Sequence, residues 1–397
     1  MAVSRQGRAV GILLFLGLLL IAAPVQAEVN FQALRGWGLE TAGAIDTSLK
    51  KRNGSNLYAE IASINGGQSG GYNGYAYVWP AATQFRVLNS LTQLDPTNYT
   101  SVLRSFSDEL HTRYWNGGYR SGAGGGDRFY DDNAHLVVSL TEAYRLTNDP
   151  VFLDRARRAQ AFVMRGEDSV AGGGIYFKEN DFSSKDAIST LQGARGAAML
   201  YRATGMPTYL DDATRLLTWA EDHIQLSTGL YSQRWDIATN QRDGVELVNS
   251  AGIAISTNLE LYDATGASAY LNEARRIGRR SLMRYFDSAT GRINDEGYWA
   301  FELVDGLVNL YLHDGNETWL NQVNGALVWL HENKRDPLGH YGLYWGREGA
   351  QVGTLNTWEL NNQAAVARAY LYTGLVVPEP TSWLLLGVGL VGLSWRR

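Results

Sequence analysis

Ala143-Tyr144-Arg145-Leu146-Thr147, followed after four residues by Phe152-Leu153-Asp154-Arg155-Ala156, is a phrase that this chain repeats. It returns as Leu200-Tyr201-Arg202-Ala203-Thr204 with Tyr209-Leu210-Asp211-Asp212-Ala213, and again as Leu261-Tyr262-Asp263-Ala264-Thr265 with Tyr270-Leu271-Asn272-Glu273-Ala274. Looser copies stand at Leu94 with Tyr99 and at Leu312 with Trp319-Leu320. Phe152 and Tyr209 lie 57 residues apart and Tyr209 and Tyr270 lie 61 apart, room for two helices and one long loop per unit. Ala, Leu and Arg dominate the periodic segments and β-rich runs are short, so both elements of a unit read as helices. Twelve are expected, at 31–51, 79–93, 97–114, 131–146, 150–165, 186–204, 208–225, 247–264, 268–285, 299–313, 317–333 and 357–373. Such a repeat argues for one domain. Six hairpins closing on themselves make an all-α (α/α)6 barrel, whose inner helices are the more apolar set, such as Ala134 to Leu146 and Gly252 to Leu261.

The connections are asymmetric. Turns from an inner helix to the next outer one are short. The opposite connections are long and rich in Gly, Tyr and Trp: Gly66 to Trp79, Trp115 to Asp131, Gly172 to Phe182, Gly229 to Trp235, Gly291 to Trp299 and Gly339 to Trp345. Alternating topology puts all six on one rim. Rigid rings among glycines suit a sugar-binding surface, and Trp79, Tyr176, Trp235, Trp299 and Trp345 are the expected contacts. Any one of these rings taken alone fits a plug at the end of the barrel; the set fits binding.

Asp131-Asp132 follows the longest glycine-rich loop, at the head of an inner helix on that rim. Adjacent aspartates at a helix start are ordinarily caps that suit the positive end of the helix dipole. The chain carries its own control in Asp211-Asp212, which follows a short turn on the far rim in an outer helix and reads as structural. Neighbouring helical residues point about 100° apart, so their carboxyls can reach the ~5 Å separation of a retaining glycosidase. The helix N-terminus favours one ionised carboxylate, while burial and the neighbouring charge raise the other to make an acid.

Tyr130-Asp131-Asp132-Asn133, Ala143-Tyr144-Arg145-Leu146-Thr147, Gly172-Gly173-Gly174-Ile175 and Lys185-Asp186-Ala187-Ile188-Ser189, in that order, resemble glycoside hydrolase family 76 from about Asn30 to Thr373. The resemblance implies the barrel of endo-acting α-1,6-mannanases and related transglycosylases, with no cofactor. It implies Asp131 as nucleophile and Asp132 as acid/base; Tyr130, Asn133 and His135, adjoining the pair, are expected beside the bound sugar. The chain departs from the family pattern at Ala134-His135-Leu136, where two tryptophans often stand, at Thr190, where an asparagine is expected, and at Val248-Asn249-Ser250-Ala251-Gly252. His135, one turn beyond Asp131, suits either tuning of that carboxyl or a satisfied place in the inner helix. Glu302 and Asp305, below Trp299, suit either sugar hydroxyls or structural hydrogen bonds. Rival readings are an inactive glycan-binding protein, a helical scaffold, and another enzyme of this barrel such as an uronyl hydrolase or sugar epimerase. That last class needs a lone aspartate or a histidine pair facing the cavity.

Residues 1–27 read as an export signal: Arg5 and Arg8, the apolar run Val10 to Ala23, and Val25-Gln26-Ala27 as cleavage site. The barrel domain is then 28–377. Residues 378–397 combine Pro378-Glu379-Pro380, an apolar stretch from Trp383 to Trp395 and Arg396-Arg397, resembling the PEP-CTERM sorting signal. That resemblance implies transient membrane anchoring, an exosortase-type processing partner and an exported destination at the periplasm, outer surface or beyond. Without the charges of these two ends, the 35 Lys+Arg and 40 Asp+Glu become 31 and 39, a net −8. That balance excludes nucleic acid as a partner. The absence of cysteine excludes disulfides and thiolate metal sites. A monomer acting on a polysaccharide, an α-mannan or exopolysaccharide, is expected. Gly122 to Gly126 lacks the strand and lysine of a phosphate loop.

Overall fold

The computed structural model of the protein describes residues 30–346 and 353–376. The export signal and the sorting segment lie outside the described residues. Among the described residues, twelve α-helices alternate between two concentric layers. The inner six are α2 (Val78–Leu94), α4 (Tyr130–Thr147), α6 (Ala187–Thr204), α8 (Val248–Thr265), α10 (Gly297–Asp314) and α12 (Leu360–Gly374). The outer six are α1 (Phe31–Ser48), α3 (Pro96–Tyr114), α5 (Pro150–Val163), α7 (Pro207–His223), α9 (Ser268–Tyr285) and α11 (Glu317–Lys334). Each inner helix packs on the next in the order α2, α4, α6, α8, α10, α12, and α12 returns to α2. This is the (α/α)6 barrel. Its sixth pair is not a sequence hairpin: α1 docks on α12, so the first and last helices close the ring.

The repeated phrase builds the short turns. Thr147, Thr204 and Thr265 each donate to the carbonyl four residues back (2.8, 2.7 and 2.7 Å) and accept from the backbone N–H two residues on (3.2, 3.3 and 3.2 Å). One hydroxyl thus closes a helix and steers the exit. The next residue turns left-handed, as Asn148 (φ 56°), Gly205 (φ 70°) and Gly266 (φ 70°), the helix stop that favours glycine or asparagine. Pro150 and Pro207 then open α5 and α7, where the missing N–H is harmless.

Inner helices are buried on nearly every side, α6 without a break from Ala187 to Leu200. Small residues set their spacing where it is tightest. A Cβ on Gly252 of α8 would lie 2.2 Å from the Glu302 carbonyl oxygen of α10, and one on Gly306 would lie 2.7 Å from the Gly252 carbonyl.

The long loops share one rim, as the alternation requires, and two small sheets tie them down. β1 (Ile61–Ser63) pairs with β2 (Gln68–Ser69) and, through Ala62 opposite Trp358, with β6 (Thr357–Glu359). β3 (Ser184–Asp186) pairs with β4 (Arg234–Asp236), Lys185 opposite Trp235, and β4 with β5 (Gln241–Arg242). The expected helical starts at 357 and 186 are therefore strand residues, recruited by partners distant in sequence, and α12 and α6 begin at Leu360 and Ala187.

Candidate active site

The rim encloses a cleft of about 790 Å³. Its architecture follows from the six inner helices. The second residue of each lines the cleft: Trp79, Asp131, Ile188, Asn249, Tyr298 and Asn361. The first residue of each is buried instead: Val78, Tyr130, Ala187, Val248, Gly297 and Leu360. Successive helical side chains point about 100° apart. The position facing the axis is therefore followed and preceded by positions that face the wall or the rim. Five preceding cap residues reach the rim of the same cleft as well: Tyr77, Phe129, Asp186, Leu247 and Glu359.

Six carboxylates line the cleft, Glu60, Asp127, Asp131, Asp132, Asp186 and Glu359, and no lysine or arginine does among the described residues. Asp131 Oδ1 accepts from the Asp132 backbone N–H at 2.8 Å. Asp186 caps α6, accepting from the Ser189 N–H (2.7 Å) and hydroxyl (2.9 Å). Burial pushes all three carboxyls up. Asp132 is raised to about 7 and Asp186 to about 6. Asp131 is raised by burial, then by the charges of Asp132 and Asp186. The helix N-terminus favours an ionised Asp131, but burial and the two neighbouring carboxylates outweigh it. Near neutral pH the pair holds a proton that it cannot lose without placing two negative charges side by side. Across the ring, Tyr298 and Trp299 of α10 stand edge to face at 5.1 Å, and Tyr298 meets Trp79 in the same way at 5.1 Å.

Beneath the pair, His135 forms part of the cleft floor. Gln192 Nε2 lies 3.1 Å from His135 Nδ1 and 3.1 Å from Glu302 Oε1. Glu302 accepts from Arg86 at 2.6 Å and Arg195 at 3.4 Å. Although burial pushes Glu302 up, these cations hold it far below the usual carboxylate range. Arg86 also bonds Asp305 (2.5 Å), which meets Arg368 (3.0 Å), which meets Glu142 (2.8 Å). A ladder of alternating charge therefore fills the barrel axis below the cleft.

Of the residues expected at the site, Asp131, Asp132, His135, Trp79 and Trp299 line the cleft. The others are not among the residues that line this cleft. Tyr130 stacks on Phe162 at 5.0 Å. Asn133 is fully buried, accepts from the Tyr119 N–H (2.7 Å) and donates to the Tyr119 and Phe129 carbonyls (2.9 and 2.8 Å), fastening the preceding loop. Tyr176 donates to Asp168 at 2.9 Å, and buried Lys185 sits 3.5 Å over its ring. Trp235 turns toward His223, and Trp345 fills the space left by the absent side chain of Gly297. Glu302 has its oxygens occupied by Arg86, Gln192 and Arg195. Asp212 pairs with Arg215 at 2.7 Å, and neither it nor Asp211 reaches the cleft. Asp186, Asn249, Asn361, Tyr298, Glu60 and Glu359 were missed as cleft residues. All but Glu60 stand at the start of an inner helix, Asn249, Tyr298 and Asn361 at the second position and Asp186 and Glu359 at the cap.

His135 is the one histidine lining the cleft among the described residues, so the histidine pair required by an epimerase reading is not found there. Among the described residues no group of three or more His, Asp and Glu side chains is placed to hold a metal ion.

The model of Glycosyl hydrolase family 76 matches residues 51–301, and that of the PEP-CTERM protein-sorting motif matches 376–397. No curated protein sequence matches the chain. A solved GH76 α-mannanase of Bacteroides thetaiotaomicron is 26% identical, with a TM-score of 0.79 over 87% of this chain and 95% of that one. An inactive variant of an α-1,6-mannanase of Salegentibacter sp., with two adjacent aspartates replaced by asparagine and α-1,6-mannotriose bound, is 19% identical, with a TM-score of 0.74 over 86% and 99%. A cellobiose 2-epimerase of Bacillus thermoamylovorans shares the fold at 13% identity and a TM-score of 0.66 over 86% and 99%.

Proposed function

The chain belongs to glycosyl hydrolase family 76 and is a glycoside hydrolase, and from that premise we propose that it cleaves α-mannosidic linkages of the α-1,6 type in an extracytoplasmic polysaccharide, with retention of configuration. The observation that carries this reading is the position of Asp131 and Asp132 together at the head of α4, in an aromatic-walled cleft with no lysine or arginine among its described lining residues. The solved α-1,6-mannanase variant, inactive once two adjacent aspartates are lost and still holding mannotriose, supports the same assignment.

The two carboxyls divide the work. Asp131 attacks the anomeric carbon and forms the covalent glycosyl intermediate. Asp132 gives its proton to the departing glycosidic oxygen, then takes one from water or from an acceptor sugar hydroxyl. Burial suits Asp132 to this, since a carboxyl at about 7 can hold and return a proton near neutral pH. The charge that resists ionisation of Asp131 also favours the reaction. Positive charge developing on the sugar ring meets Asp186 and the neighbouring carboxylates, and is stabilised by them. Trp79, Tyr298 and Trp299 offer faces on which pyranose rings stack.

The sorting-motif match and the N-terminal signal support export with exosortase-type processing of the C-terminal segment. The deciding experiment digests α-1,6-mannan with the purified protein and follows the first anomer by NMR. The α-anomer is expected. A β-anomer overturns retention, and mannotriose binding without cleavage turns the reading toward a glycan-binding protein.

A further inference from the structure

The two ring nitrogens of His135 are treated unequally by what lies below them. Glu302, flanked by Arg86 and Arg195, is an ionised carboxylate and can only accept. The Gln192 amide must therefore turn its nitrogen, not its oxygen, toward Glu302 Oε1. This orientation leaves Gln192 Oε1 buried without a partner, and a flipped amide would set two acceptors against each other. The nitrogen has a second hydrogen, and His135 Nδ1 stands 3.1 Å from it. Gln192 donates there, so Nδ1 accepts. A neutral imidazole that accepts at Nδ1 carries its proton on Nε2. Glu302 Oε1, at 3.6 Å from Nδ1, lies beyond hydrogen-bond distance.

The cleft makes such a donor useful. A sugar hydroxyl both gives and takes a hydrogen bond, and the carboxylates around the aspartate pair only take when ionised. His135 lies on the floor beside them, and in this tautomer its Nε2 is the nitrogen with an N–H to offer.

We propose that His135, locked as its Nε2–H tautomer by Gln192 and Glu302, is a specificity-determining donor to one hydroxyl oxygen of the sugar seated over Asp131 and Asp132. The proposal rests on the reading of the cleft as a mannoside site. It makes the buried ladder a device that sets a tautomer, and it accounts for a histidine where the family pattern often has tryptophan.

Two arms test it on the full chain. Nitrogen-15 NMR of labelled histidines, with His135 assigned by its absence in His135→Gln, should show the Nε2–H tautomer at neutral pH. Gln192→Leu should remove that bias. A Nδ1–H tautomer or an imidazolium there overturns the proposal. In the second arm, His135→Phe should lower kcat/KM on α-1,6-mannotriose about tenfold, the worth of one hydrogen bond, with an unchanged thermal midpoint. His135→Gln, which restores a donor near Nε2, should recover most of the loss. Among monodeoxy mannosides, one should be about tenfold poorer for the parent protein and no poorer for His135→Phe. Equal losses in both variants, or a deoxy penalty that survives in His135→Phe, overturn the assignment. If mannotriose binds without turnover, the hydrolase reading fails alone, and the same ordering measured by calorimetry decides this inference. If mannotriose neither reacts nor binds, both fall.

Discussion

The two ends of the barrel axis bury carboxylates in opposite ways. At the upper end Asp131, Asp132 and Asp186 face one another and an open cleft, with no lysine or arginine among the described lining residues. At the lower end a small cavity of about 140 Å³ is bordered by Glu142, Glu260 and Asp263, all of them in ion pairs. Arg145 and Arg202 meet Glu260 at 2.7 and 2.6 Å, Arg202 meets Asp263 at 2.8 Å, and Arg368 meets Glu142 at 2.8 Å. Burial pushes Glu260 up as it does Asp132, yet the guanidiniums override it and bring Glu260 down to about 2, while Asp132 rises to about 7. Desolvation is common to both ends. What separates a proton carrier from a structural anion is whether a cation was buried with it.

Breaking the upper end has the largest expected effect. Asp131→Asn should lower kcat by about 10⁴-fold while calorimetry still detects oligomannoside binding; a variant that keeps its turnover removes Asp131 from the nucleophile's role. Next in size is the ladder between the ends. Arg86→Met strands Glu302 and Asp305, both almost fully buried, without their shared guanidinium. Loss of one partner of a buried ionic network should destabilise by about 3–5 kcal/mol, read by urea unfolding.

The pH dependence should then sharpen the contrast, because the two ends have opposite signs. Glu260 is depressed from 4.5 to about 2, so its stabilisation is present above pH 4.5 and lost as pH falls toward 2. Glu260→Gln should destabilise by roughly 3 kcal/mol at pH 7, and the gap to the parent should close in acid. Asp132 is raised from 3.8 to about 7, so the folded state loses stability as pH climbs through that interval. Asp132→Asn should therefore melt a few degrees above the parent at pH 8, converge with it below pH 4 and lose turnover. Thermal melts across pH check both; parallel curves refute the contrast. The smallest effect belongs to the control pair. Asp211→Asn and Asp212→Asn should change stability by less than about 0.5 kcal/mol and leave turnover unchanged, since Asp212 forms only a surface pair with Arg215.

Much of this was legible because it is local. The repeated Thr with a following Asn or Gly writes the helix stop and the exit, so helix number, order and approximate limits could be read from the phrase at Thr147, Thr204 and Thr265. The rim, too, follows from alternation and loop length. Individual side chains in the wall were less legible. Trp345 and Trp235 carry the same composition signal as Trp79 and Trp299, but one fills the space beside Gly297 and the other turns to His223. Aromatic rings in a glycine-rich loop signal large apolar area to be buried, and either the core or a ligand can bury it.

Local backbone chemistry written in the chain thus determined the helical repeat, its six-unit count and the acidic pair at the head of an inner helix. Only the tertiary structure decided that α1 closes the ring on α12, that Asp186 joins Asp131 and Asp132, and that Gln192 and Glu302 stand beneath His135. Those groups lie tens to hundreds of residues apart in sequence. Their charges and hydrogen bonds depend on distances across the ring, which no local pattern encodes.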